Sequence, residues 1–68
     1  MDIEALRVEM LKCHKNTSTG IMFGAGKAYL MWDAGNEMHS ESIPIDKCAI
    51  GSEEFKGACE RATISLIH

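Results

Sequence analysis

Six cysteine and histidine side chains are the residues of this chain whose chemistry could hold a metal ion. They are Cys13, His14, His39, Cys48, Cys59 and His68. Together they could supply four ligands to Zn²⁺, but structural zinc sites usually contain paired ligands two to four residues apart. Only the adjacent Cys13 and His14 come near that spacing, and adjacent residues rarely bind one ion together. The sequence therefore predicts no metal ligands and no cofactor.

A glycine-rich segment, Gly24-Ala25-Gly26-Lys27, is similar to part of a phosphate-binding loop. That loop requires a glycine six residues before its lysine and a hydroxyl residue directly after it, and this chain has Ile21 and Ala28 there. The pattern therefore favours a turn built from glycines. As an alternative function, the backbone amides of residues 24–27 together with Lys27 could bind an anion.

His39 is a candidate for acid–base chemistry, because an extended segment places Glu37 and Glu41 on its side of a strand. Two carboxylates beside an imidazole favour its protonated form and could make a pH-sensitive patch or a weak cation site. A charged, solvated edge strand explains the same pattern, and we favour that interpretation. Nothing in the sequence supplies a nucleophile and an orienting partner for His39, so we expect no catalytic residues and no enzyme activity.

The charge of the chain argues against a nucleic-acid partner. Ten acidic and seven basic side chains give a net charge of −3. The sequence has no basic stripe interleaved with aromatic residues, which a surface that follows phosphates needs. A local patch formed by Lys12, His14 and Lys15 keeps a nucleic-acid-associated regulator as a further alternative.

Length and composition indicate one small domain, residues 1–68. With 68 residues, 46% hydrophobic and 25% charged, the chain has an ordinary globular composition. No apolar run approaches the roughly 18–20 residues of a membrane helix. Residues 1–4 lack the basic and apolar segments of a secretion signal. An odd number of cysteines outside any C-x-x-C pair indicates reduced, buried thiols. We therefore expect a cytoplasmic protein with no membrane partner.

Two helices are predicted near the ends of the chain. Asp2 is suited to cap a first helix that runs to about Lys15, and Ser52 is suited to cap the last one. The first helix has an apolar face at helical spacing, formed by Ile3, Leu6, Met10 and Cys13. The last helix has a clearer apolar face, formed by Phe55, Ala58, Cys59, Ala62 and Leu66.

The segment between the helices is predicted to form two or three antiparallel strands. Residues 16–20 have turn composition and are expected to form a loop, and residues 21–23 and 28–32 form two short apolar runs typical of a hairpin. Residues 37–43 are expected to return as a third strand, with Pro44 at an edge or in a connection. The predicted fold is therefore a small α+β domain. The alternative is an all-α three-helix domain in which residues 27–39 are helical.

The first helix and the sheet carry more apolar residues than so small a domain can cover. Val8 and Leu11 lie roughly opposite the main apolar face of the first helix. Tyr29 and Trp32 fall on opposite faces of a strand, so we expect one in the core and the other as an interface anchor. Further adaptable surface would come, if exposed, from Met22, Met31 and Met38. The predicted protein-binding residues are Val8, Leu11, Tyr29 and Trp32.

These patterns predict a small intracellular regulator, inhibitor or adapter that binds a protein partner through apolar surface. A homodimer would cover the excess apolar residues most simply. The alternatives are a metal- or anion-binding module that uses the Cys and His residues or the Gly24–Lys27 loop, and a nucleic-acid-associated regulator.

Overall fold

The computed structural model describes residues 2–66 and shows a two-layer α+β domain. Its elements in chain order are α1 (Ile3–Cys13), β1 (Ser18–Gly24), β2 (Lys27–Asp33), β3 (Met38–Pro44), a short 3₁₀ helix (Ile45–Lys47) and α2 (Glu53–Ser65). The three strands form one antiparallel sheet in the order β1-β2-β3. The predicted α+β fold is confirmed, and the all-helical alternative is wrong because residues 27–33 alternate between two sheet faces.

Both helices begin at the residues that the sequence indicated. A side-chain oxygen of Asp2 accepts a hydrogen bond from the amide of Ala5 at 3.1 Å, and the hydroxyl of Ser52 accepts one from the amide of Phe55 at 3.1 Å. These caps satisfy amide groups that have no carbonyl partner within the first turn of a helix. Glutamates in the first turn of each helix also lie near the positive end of the helix dipole.

The predicted hairpin forms around the glycine-rich segment. Ala25 and Gly26 occupy its two-residue turn with φ angles of 53° and 74°. Positive φ at both central residues is the geometry of the type I′ turn, which matches the twist of antiparallel strands. Ala25 adopts it at a steric cost of about 1 kcal/mol, because its Cβ crowds the backbone. The loop expected at residues 16–20 is shorter than predicted, since Thr19 and Gly20 already pair with β2.

The core lies on one face of the sheet, beneath both helices. The central strand contributes Ala28, Leu30 and Trp32, all fully buried. They pack with Leu6 and Met10 of α1, and with the complete apolar face predicted for α2. Trp32, predicted as a protein-binding residue, is therefore a core residue instead: the helices pack on its side of the sheet. Its indole nitrogen donates a buried hydrogen bond of 3.0 Å to the carbonyl oxygen of Met10.

Substituting Trp32→Phe tests this buried bond. We expect the free energy of unfolding to fall by about 1–3 kcal/mol, because the carbonyl of Met10 loses its buried donor and the smaller ring packs less well. Urea unfolding followed by circular dichroism measures the change. Tyr29→Phe, an exposed aromatic change on the same strand, should cost less than about 0.5 kcal/mol. Equal losses for the two variants would contradict the importance of the bond.

Candidate functional site

The face of the sheet opposite the helices carries an exposed apolar surface. Successive side chains of a strand point to opposite faces, so burial of Leu30 and Trp32 turns Tyr29 and Met31 outward. Met22 of β1 lies opposite Tyr29, and Met38 of β3 lies opposite Asp33 at the far end of β2. Met22 and Met38 are 60% and 65% exposed, and Tyr29 is 38% exposed. We call Met22, Tyr29, Met31 and Met38 the outer patch.

The strand register sets the shape of the outer patch. Tyr29 lies between Met22 of β1 and Ser42 of β3 in the register of the sheet. Met31 lies opposite Gly20, and its terminal methyl carbon is 3.5 Å from the position that a Cβ at residue 20 would take. Because Gly20 has no side chain, the side chain of Met31 can pack against β1, and Met31 is half-buried.

Charged groups stand at the ends of this face rather than in its middle. Lys27 and Asp33 are the first and last residues of β2, and both are exposed. Between them the outer patch offers an aromatic ring and three thioether side chains, with the small polar Ser40 and Ser42 beside them on β3. Thioethers are polarisable and adopt many shapes, and tyrosine is a frequent anchor of protein interfaces. The surface is suited to contact with an apolar partner.

The structure does not bring the four predicted binding residues together. Tyr29 lies in the outer patch and Trp32 in the core. Val8 is exposed and Leu11 is half-buried on α1, which packs against the opposite face of the sheet. The sequence placed Tyr29 and Trp32 on opposite faces, as observed, but did not name the methionines of the outer patch as binding residues. Their alternation with core residues along the strands was the available signal.

His39 and Glu41 lie on the helix-covered face of the sheet, and they form a cluster with Arg61 of α2. The carboxylate of Glu41 lies 2.6 Å from Nε2 of His39. Its other oxygen accepts a 2.9 Å hydrogen bond from Nε of Arg61 and lies 2.9 Å from Nη2 of the same guanidinium in an ion pair. The ring of His39 also contacts Trp32, with 5.9 Å between centroids. The interpretation of this segment as a solvated charged edge is therefore incomplete, since Glu41 and His39 are largely buried and attach β3 to α2.

The pKa of Glu41 reflects this pairing. Burial alone would raise the pKa of Glu41, but the hydrogen bonds from Arg61 and His39 and their positive charges outweigh burial and lower it. The carboxylate already has two partners within the protein. This arrangement explains the His39 region as a structural ion-pair cluster.

The three cysteines are free thiols within the fold, with Cys48 and Cys59 buried and Cys13 half-buried. Cys13 and Cys59 lie next to each other where α1 meets α2, and the hydroxyl of Thr63 is 2.9 Å from the carbonyl of Cys59 and 3.1 Å from that of Cys13. Burial, followed by the hydrogen bond with Cys13, raises the pKa of Cys59 to about 12. Burial also raises the pKa of Cys48. Both buried thiols therefore stay protonated at neutral pH.

Residues 2–66 contain no group of three His, Cys, Asp or Glu side chains arranged to hold a metal ion. The ring of His14 donates a hydrogen bond from Nε2 to the carbonyl of Leu66. His68, the last of the six side chains considered as ligands, lies outside the described residues. Over the same range, neither helix combines the length and the apolar character that crossing a membrane requires.

An apolar concavity of about 420 Å³ lies between the start of α1 and the 3₁₀ helix. Its lining combines two carboxylates, Asp2 and Asp46, with Ala5, Leu6, Ile45, Cys48, Ala49 and Ile50. Asp2 is already engaged as the cap of α1. The concavity has fewer exposed side chains that could anchor a partner than the outer patch has.

Comparisons of the chain with protein-family models, with curated proteins and with solved structures found no match. A function for the chain has to come from the chemistry of its own surface.

The ion pairs of Glu41 predict a specific loss of stability in acid. Because the folded-state pKa of Glu41 lies below its ordinary value of 4.5, its carboxylate contributes stability above pH 4.5. That contribution disappears as the pH falls through the lowered pKa. Urea unfolding at about pH 6 and about pH 3 measures the free energy of unfolding at each pH. This free energy should decrease more between about pH 6 and about pH 3 for the natural chain than for Glu41→Gln. The exposed Glu60→Gln serves as the control and should follow the natural chain; a Glu41→Gln curve that does the same would contradict the role of the cluster.

The thiol environments predict an order of chemical modification. Iodoacetamide near neutral pH should alkylate the half-buried Cys13 first, and Cys48 and Cys59 much more slowly, because burial and raised pKa values keep those two thiols covered and protonated. Peptide mass spectrometry over time measures the order. In denaturant the three rates should converge. Rapid alkylation of Cys59 in the folded protein would show that the contact between α1 and α2 is open.

Proposed function

We propose that this protein is a small protein-binding regulator, inhibitor or adapter that acts through the outer patch, as a homodimer. The observation that carries the proposal is the row of exposed apolar side chains on the sheet face that the helices leave uncovered. The core of the described domain forms without any side chain of the outer patch. Placing tyrosine and methionine together at the surface is costly unless a partner covers them.

The dimensions and charges of this face suit the apolar side of an amphipathic helix. Three strands span about 10 Å between the outer two, which is close to the diameter of a helix with its side chains. Lys27 and Asp33 at the two ends of β2 are placed to contact polar groups at the margins of that helix. A cytoplasmic location fits the three free thiols.

Binding is a better explanation of this structure than catalysis. The titratable cluster of His39, Glu41 and Arg61 consists of side chains that satisfy one another. The Gly24–Lys27 segment forms a hairpin turn, which accounts for its glycine content without an anion. The outer patch, in contrast, has no structural role within the described domain that would explain its composition.

Tyr29→Glu tests the proposal, because it puts a charge in the middle of the outer patch at a site where the core is unaffected. Ile64→Glu is the matched control: Ile64 is 70% exposed, but on α2. Partners retained by the immobilised natural chain are compared by quantitative mass spectrometry with those retained by each variant. We expect to find partners that Ile64→Glu retains as well as the natural chain does. Tyr29→Glu should bind the same partners about thirtyfold more weakly, which is the usual effect of losing an interface anchor.

A partner retained in this experiment is then added to isotope-labelled protein, and the amide signals that shift in the NMR spectrum are mapped onto the structure. They should lie on β1, β2 and β3 beside the outer patch. Retention that is equal for Tyr29→Glu and the natural chain, or shifts confined to α1 and α2, would contradict this use of the sheet.

A further inference from the structure

The two edges of the sheet differ in how they are protected against pairing with another strand. β1 is an edge strand of seven residues, Ser18–Gly24, and contains neither a charged residue nor a proline. Within residues 2–66, the backbone of β1 forms no hydrogen bond outside its ladder with β2. β3, the other edge, contains His39, Glu41 and Pro44. Charges and proline are the usual means by which proteins block edge strands, so β1 is the unblocked edge.

β1 is also self-complementary. If two copies pair antiparallel with Ile21 opposite the partner's Ile21, Thr19 lies opposite the partner's Phe23, and Gly20 opposite the partner's Met22. Every pair then joins residues of the same sheet face, so the apolar pattern continues across the junction. Phe23, which is 41% exposed at the helix-covered face, is covered in this arrangement. No charged side chain of β1 opposes the contact on either face.

We propose that a second copy of this chain pairs with β1, antiparallel and centred on Ile21, to form a continuous six-stranded sheet. The twofold axis is perpendicular to the sheet, because antiparallel pairing of like faces requires it. Both helical layers therefore lie on one side. On the other side the two outer patches merge, since Met22 becomes a diagonal neighbour of the partner's Met22. The inference rests on the homodimer of the proposed function and identifies its interface.

Two methionines of the outer patch provide a matched test. Met22 and Met38 have nearly equal exposure, 60% and 65%, and lie on the same sheet face but on opposite edge strands. Met22→Lys places two like charges about 7 Å apart at the proposed junction. We expect it to weaken the dimer by about tenfold or more, whereas Met38→Lys leaves the dissociation constant unchanged within about twofold. Native mass spectrometry across a concentration series measures both, and circular dichroism verifies the fold.

Cysteine variants at the same positions measure the geometry directly. Met22→Cys should be joined to its partner copy by a short bis-maleimide. Met38→Cys should not, because five strand spacings separate β3 from the partner's β3, about 24 Å. Peptide mapping distinguishes these links from reactions of the native cysteines. The cross-link also tests the interface if Met22→Lys fails to fold.

The outcomes separate this inference from the proposed function. A dimer that tolerates Met22→Lys and gives no link at residue 22 overturns pairing through β1 and leaves the homodimer in place. Equal loss of the dimer in Met22→Lys and Met38→Lys, with links at both positions, shows that two copies meet through their outer patches and also overturns it. A chain that stays monomeric at all concentrations overturns both the edge pairing and the homodimer, and the binding of a helix to Tyr29 is then judged by its own variants.

Discussion

The hydrogen bond from the indole of Trp32 to the carbonyl of Met10 joins the two layers of this domain at the centre of its core. A buried indole N–H needs an acceptor, and the carbonyls in the last turn of a helix lack partners within that helix. The contact meets both requirements at once. It holds the last turn of α1 against the central strand, and α2 packs its apolar face into the same cluster. Because Leu30 and Trp32 of β2 face the helices, the residues that alternate with them along the strand must face away from the helices.

The exposed outer patch is a direct consequence of that choice. Two short helices cover one face of the three-stranded sheet, and within residues 2–66 no third layer covers the other. The exposed face could have been polar, as β3 shows with Ser40 and Ser42. Instead β2 places Tyr29 and Met31 there, next to Met22. None of these three side chains belongs to the core cluster, which is why we propose that they bind a partner.

The two edge strands of the sheet differ in charge and in their attachment to the helices, just as its two faces differ in burial. Glu41 ties β3 to α2 through Arg61 and to its own strand through His39, and Pro44 ends that strand. Among residues 2–66, β1 has no such ion-pair attachment, it contains no charged residue, and α1 packs against it from the helix-covered side. Electrostatics therefore secures one edge within the monomer, and the other edge is left suitable for a second strand. The outer patch and β1 adjoin at Met22, which connects the proposed binding surface with the proposed dimer interface.

Local interactions made several features readable from the sequence alone. The caps at Asp2 and Ser52, the glycine turn after β1 and the apolar face of α2 each depend on residues a few positions apart, so their spacing determines them. The same rules placed Tyr29 and Trp32 on opposite faces. Which of the two is buried was decided only by the tertiary structure, because it depends on the side that both helices cover. The pairing of Glu41 with Arg61 and the meeting of Cys13 with Cys59 join residues far apart in the chain, and no local pattern records such contacts.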